Sequence, residues 1–128
     1  MNPETNAMKR MLLACSQAGA TLFRHNVGLG WSGRLISHSP EKTVLANARP
    51  LHAGLQKGAG DLIGWKTITI TPDMVGKKIA VFSSVEAKTK SGAITDEQVN
   101  WINVVRSAGG FAGVARNEDQ AIQIISGF

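Results

Sequence analysis

Hydrophobic positions along the chain change period several times, and the changes mark out elements. Met8, Met11, Leu12 and Cys15 recur at helical spacing behind Asn2-Pro3-Glu4, where Asn caps, Pro takes the first helical position and an acid sits in the first turn. Gly19 supplies the stop, so an amphipathic helix opens the chain. Thr21 to Val27 has strand composition and is broken by Gly28-Leu29-Gly30-Trp31-Ser32-Gly33. From Arg34 to Gly60 neither period is clear, and Pro40, Pro50, Gly54 and Gly58 interrupt the run; a long, partly ordered and functional loop is expected there.

Asp61 to Trp65 and the alternating Thr67-Ile68-Thr69-Ile70 read as strand material, followed by a turn at Pro72-Asp73-Met74-Val75-Gly76. Ile79 to Lys88 is the clearest strand of the chain. Thr95-Asp96-Glu97-Gln98 opens a second helix with a capping-box pattern, Val99, Trp101, Ile102 and Val105 face inward, and Gly109-Gly110 ends it. Phe111 to Ala115 forms a short strand, and Asn117 caps a last helix through Ile125. The expected order is helix, strand, strand, strand, helix, strand, helix. It describes an α/β or α+β chain without repeats, folded as one domain over residues 1–128.

Composition is ordinary for a globular chain, with 43% hydrophobic and 18% charged residues, which excludes a disordered or fibrous class. The apolar stretch Met11 to Ala14 is too short for a signal segment or a membrane span, so a soluble cytoplasmic protein is expected. The single Cys15 cannot form an internal bridge and reads as a buried structural thiol. Fourteen Lys and Arg against nine Asp and Glu give a net charge of +5, which favours a polyanionic partner without identifying one.

Glu86-Ala87-Lys88 closes the best strand. Period-two geometry sets Glu86 and Lys88 on one face and Val85 and Ala87 on the other. Upstream, Asp61 follows Gly58-Ala59-Gly60 and precedes an apolar strand, a place where the backbone passes close to a ligand. Two carboxylates converging at a sheet edge suit phosphodiester hydrolysis: they hold a hard cation such as Mg²⁺ or Mn²⁺, which polarises the phosphoryl oxygen and acidifies a water. A lysine offsets developing charge or orients the water. An E-x-K alone is equally a solvated acid–base pair on an edge strand, and order and spacing are what favour the site.

Gly58-Ala59-Gly60-Asp61-Leu62-Ile63, Val81 to Lys88, Thr95 to Trp101 and Ala108 to Ala115, with Arg24, Asn26 and Gly28 after the first helix, resemble the blocks of the virus-type replication-repair nuclease family, VRR-NUC. The resemblance implies a PD-(D/E)xK restriction-endonuclease-like core, a central mixed sheet flanked by helices, in which Asp61, Glu86 and the Ala87 carbonyl bind metal and Lys88 is catalytic. Gly60 departs from the proline of the broader superfamily. Glu4 matches the acid of the family's first helix, and a helix N-terminus equally favours an acid for its dipole. Gln98 matches a family glutamine near the active site, and as third residue of a capping box it equally serves the Thr95 backbone.

Gly28-x-Gly30-x-x-Gly33 fits a dinucleotide fingerprint, but no amphipathic helix follows Gly33 and the chain opens on a helix, so the Rossmann reading fails on context. His25, His38 and His52 lack metal-ligand spacing; His25 reads as structural or as a phosphate contact. Trp31 is placed either to stack on a base or to pack locally, and Trp65 and Trp101 belong to the core. Arg24, Arg34, Lys57, Lys90 and Arg116 are candidates for holding phosphates, with solvated surface charge as the alternative for each.

The expected function is metal-dependent endonucleolytic cleavage of branched DNA, such as four-way junctions, by a homodimer of the stand-alone phage or bacterial type that the resemblance implies. A non-catalytic DNA-binding or recombination accessory protein and an RNA-processing nuclease are the alternatives.

Overall fold

The computed structural model describes residues 2–127. In chain order it contains α1 (Pro3–Gln17), β1 (Ala20–Arg24), β2 (Gly28–His38), β3 (Thr43–Ala53), β4 (Leu62–Lys66), a 3-10 turn at Pro72–Met74, β5 (Ser83–Ala87), α2 (Asp96–Ser107), β6 (Phe111–Ala115) and α3 (Glu118–Ile125). The class is mixed α/β. Two compact units divide the chain: the first takes the N-terminal segment up to Ala14 and Leu22–Ile63, the second Cys15–Thr21 and everything from Gly64 on.

The expected central mixed sheet is not what forms among the described residues. Strands pair two by two instead, β1 with β4, β2 with β3 and β5 with β6. Thr67 to Ile70 lies outside any strand, and the strand expected over Ile79 to Lys88 is confined to Ser83–Ala87. Alternation and β-branching make a segment extended, but only a ladder partner makes it a strand. Ile68, Ile70 and Ile79 accordingly remain 46%, 64% and 48% exposed.

The first unit holds the other correction. The segment expected as a loop is an antiparallel hairpin of two 11-residue strands, with Gly28 opposite Ala53 and His38 opposite Thr43. Register shifts between Ser32 and Arg34 and between Leu35 and Ser37 move the side-chain alternation from one face to the other. Asn47 adopts φ 54°, a left-handed conformation that asparagine tolerates. Bulges of this kind erase a period of two from the sequence and interrupt the ladder only locally. Neither strand buries a residue.

α1 begins as the sequence predicts: Asn2 Oδ1 accepts the Glu4 N–H at 2.8 Å. Met8, Leu12 and Cys15 are half-buried and Met11 is 54% exposed, so the apolar stripe is narrower than expected and Cys15 is not fully enclosed. No helix among the described residues is long and apolar enough to cross a membrane.

The second unit holds the core. β5, α2 and β6 form a βαβ unit, because parallel strands need a crossover and a helix supplies it. Ile102 and Val105 on α2 bury against Ala112 of β6, and Trp65, Phe82, Trp101 and Val114 pack around them. Ring centroids lie 4.8 Å apart for Trp65 and Phe82, 5.9 Å for Trp65 and Trp101 and 6.2 Å for Phe82 and Trp101, in tilted or edge-on geometries worth about 0.5–1.5 kcal/mol per pair. Val99, expected inward, is 45% exposed. Gly109 takes φ 98° just past α2, and at Gly110 a Cβ would meet the Phe82 carbonyl and Val105 Cγ1 at 2.8 Å each. The pair therefore ends the helix and lets β6 start against the core.

Candidate active site

Glu86 lies at the carboxyl end of β5, opposite Val114 of β6, with Ala87 opposite Ala115. Crevices at the carboxyl ends of parallel strands are where α/β folds bind ligands. Ser84 and Glu86 share the half-buried face of β5, and α2 lies over it through two side-chain pairs. Trp101 Nε1 donates to Ser84 Oγ at 2.9 Å and Gln98 Nε2 donates to Glu86 Oε1 at 2.8 Å. Residues three apart on a helix and two apart on a strand thus meet in register.

Lys88 continues the same face. Its Nζ stands 3.6 Å from Glu86 Oε1, with the side chains 19% and 35% exposed respectively. Its backbone N–H donates to the Ala115 carbonyl at 3.0 Å, extending the ladder one residue beyond β5. One carboxylate oxygen of Glu86 therefore receives both an amide donor and an ammonium. The E-x-K motif is a half-buried ion pair whose carboxylate also accepts a hydrogen bond from Gln98.

Gln98 bonds both to the cap of its own helix and to Glu86. Its Oε1 accepts the Thr95 N–H at 3.0 Å, and its own N–H donates to Thr95 Oγ1 at 3.2 Å, closing the capping box. Its Nε2 remains for Glu86.

In the first unit, Asp61 is exposed and its backbone carbonyl accepts the His25 N–H at 2.8 Å. The His25 ring bridges the loop that leads to it: Nδ1 lies 3.0 Å from the Gly60 carbonyl and Nε2 accepts the Leu55 N–H at 2.9 Å. Since Nε2 accepts, the proton belongs on Nδ1, facing Gly60. His25 is thus structural in this unit, a latch on the Gly58-Ala59-Gly60-Asp61 turn. Glu4 is exposed in the first turn of α1.

Arg24 ends β1, Trp31 and Arg34 stand on β2 and Lys57 lies in the loop after β3, all in the first unit and all exposed. Lys90 is exposed in the turn after Lys88. Arg116 is half-buried, and its Nη1 points into that same turn. Its role has no sequence signal, because the turn it serves lies more than twenty residues upstream.

The oxygen donors of the second unit, the Glu86 carboxylate and the Ala87 carbonyl, suit a hard cation such as Mg²⁺, which binds through one or two carboxylates and completes its shell with water and phosphate. They are too few for an all-protein cage, and no group of three or more His, Cys, Asp or Glu that could hold a metal occurs among the described residues.

Compared with known proteins, the chain matches the family model of the VRR-NUC domain over residues 9–119. No curated protein and no solved structure matches it. The VRR-NUC domain is a nuclease domain of the virus-type replication-repair family.

Proposed function

Because the chain belongs to the VRR-NUC domain family, we propose that it is a metal-dependent DNA endonuclease of the PD-(D/E)xK type, acting at Glu86 and Lys88 on branched DNA. The observation that carries this reading is the convergence of the Gln98 amide and the Lys88 ammonium on one Glu86 oxygen at the carboxyl end of a parallel pair.

Glu86 and the Ala87 carbonyl are the proposed ligands in the second unit, and Asp61 and Glu4 are further candidates from the family resemblance. A bound Mg²⁺ or Mn²⁺ would polarise the scissile phosphoryl group and make a water a better nucleophile. Glu86 presents its carboxylate in an orientation set by the Gln98 amide. Lys88 places a positive charge beside it, where it orients the water or offsets charge on the phosphoryl oxygens in the transition state. Glu86 and the Ala87 carbonyl would hold the cation, and Lys88 keeps its ammonium within 3.6 Å of the same carboxylate, beside the phosphate that the cation would bring. The basic balance of +5 supports a nucleic-acid substrate. Arg24, Trp31, Arg34, Lys57 and Lys90 are its proposed contacts.

The test is a cleavage assay on flaps, nicks, four-way junctions and linear duplex, with matched RNA, in Mg²⁺ or Mn²⁺. Cleavage of DNA that disappears in Glu86→Ala is expected. Metal-independent cleavage, or binding without cleavage under every condition, would overturn the proposal.

A further inference from the structure

Lys88 carries the proposed chemistry, yet its side chain has four rotatable bonds and only one ion pair to fix it. What surrounds it is a turn. Past the ladder bond from Lys88 N–H to Ala115, the chain reverses over Thr89 to Gly92, closed by the Gly92 N–H donating to the Thr89 carbonyl at 3.2 Å. The turn folds back onto the lysine stem: a Cβ built on Gly92 would lie 3.5 Å from Lys88 Cδ and 3.2 Å from Thr89 Oγ1.

Arg116 holds this turn from outside. Its Nη1 donates to the Thr89 carbonyl at 2.5 Å and to the Gly92 carbonyl at 2.8 Å, and the Lys90 carbonyl stands at 3.4 Å. A guanidinium Nη has two protons, so the two shorter bonds use both and join the two ends of the turn. Arg116 is itself anchored, because its backbone N–H donates to Gln120 Oε1 at 2.7 Å while Asn117 Oδ1 accepts the Gln120 N–H at 2.9 Å at the start of α3. The end of β6 therefore fixes Lys88 twice, through the Ala115 carbonyl on its backbone and through the Arg116 side chain on the turn that covers its stem.

We infer that Arg116 is a positioning residue: it clamps the turn after β5 and so holds the Lys88 ammonium beside Glu86. The inference rests on the nuclease reading above and assigns Arg116 a role other than phosphate contact.

Three measurements on Arg116→Ala test it. The first is kcat and KM for cleavage in the metal that supports wild-type activity. The second is DNA affinity against salt concentration without metal, and the third is amide hydrogen exchange at Gly92. The expected result is a loss in kcat on the order of 10- to 100-fold, as for a misplaced reacting group. KM and the salt slope should stay unchanged, with faster exchange at Gly92. Arg116→Gln keeps part of the stem and cannot span both carbonyls; it should change in the same direction and serves if the alanine variant melts early. Weaker binding, with a salt slope reduced by about one phosphate contact and an unchanged kcat, would make Arg116 a phosphate ligand and overturn the inference. Unchanged Gly92 exchange, or faster exchange with unchanged kcat, would overturn it too. If the wild-type chain cuts no DNA, the nuclease reading fails separately, and exchange at Gly92 still decides whether the clamp exists.

Discussion

Gln98 ties the start of α2 to Glu86: its Oε1 completes the capping box on the Thr95 N–H, while its Nε2 donates 2.8 Å to the Glu86 carboxylate. One side chain thus links a helix terminus to the proposed catalytic acid, and the two functions separate by substitution. Thr95→Ala removes the N-cap oxygen and should cost about 1 kcal/mol of stability, read as a lower melting temperature, with cleavage well below that temperature within a few-fold of wild type. Gln98→Ala should lower metal affinity or rate by about 10- to 100-fold, the usual cost of losing a group that orients a ligand. Equal rates for the two variants would reduce Gln98 to a cap.

Removing either carboxylate or the lysine should abolish cutting and leave the fold intact. Asp61 is exposed, and the bond that involves it uses its backbone carbonyl. Glu86 and Lys88 sit at a strand end outside the Ile102, Val105 and Ala112 core. Asp61→Ala, Glu86→Ala and Lys88→Ala are expected to melt near wild type and to lose at least about 10²-fold in rate. Near-wild-type cleavage by purified Glu86→Ala would displace the site altogether.

The parts of this arrangement that were legible in the sequence are the local ones. Caps depend on residues two or three apart, and Asn2, Thr95 and Asn117 each accept the backbone N–H expected of them. The shared face of Glu86 and Lys88 follows from strand period alone. For Gln98 the sequence supports two roles, because a capping box is local and its reach to β5 is not. Pairing is longer in range still: Ile79 to Phe82 looks like strand and has no ladder, whereas Arg34 to Ala53 does not look like strand and has one. The two register shifts and the positive φ at Asn47 explain why alternation disappeared there. The Arg116 clamp had no local signature of any kind.

DNA binding should weaken steeply with salt. A basic chain that neutralises several phosphates releases as many counterions, so affinity is expected to fall by orders of magnitude between about 50 and 200 mM salt. Fluorescence anisotropy of a labelled junction without metal measures it. A flat response would point to a ligand other than a nucleic-acid backbone.

The chain should act as a twofold dimer on branched DNA. Leu29, Trp31, Leu35 and Leu51 on the β2–β3 hairpin are 58%, 59%, 59% and 52% exposed. A two-stranded hairpin alone is marginal in water, and apolar side chains gathered on one mark an association surface. Trp31 pairs with Pro50 and Leu51 with Gly30, so the two large side chains stand on opposite faces of the hairpin. Paired cuts across a four-way junction need two active sites, and each chain supplies one E-x-K, which a twofold axis duplicates. Light scattering is expected to give twice the 13.6 kDa chain mass at micromolar concentration, and a cruciform substrate should be cut in both strands. Leu51→Lys should shift the mass towards the monomer. Trp31→Lys separates the roles of the other face: a monomer makes Trp31 an interface residue, whereas an intact dimer with weaker junction binding makes it a DNA contact. A wild-type monomer that cleaves linear duplex as fast as a four-way junction would end the dimer proposal and leave the nuclease reading standing.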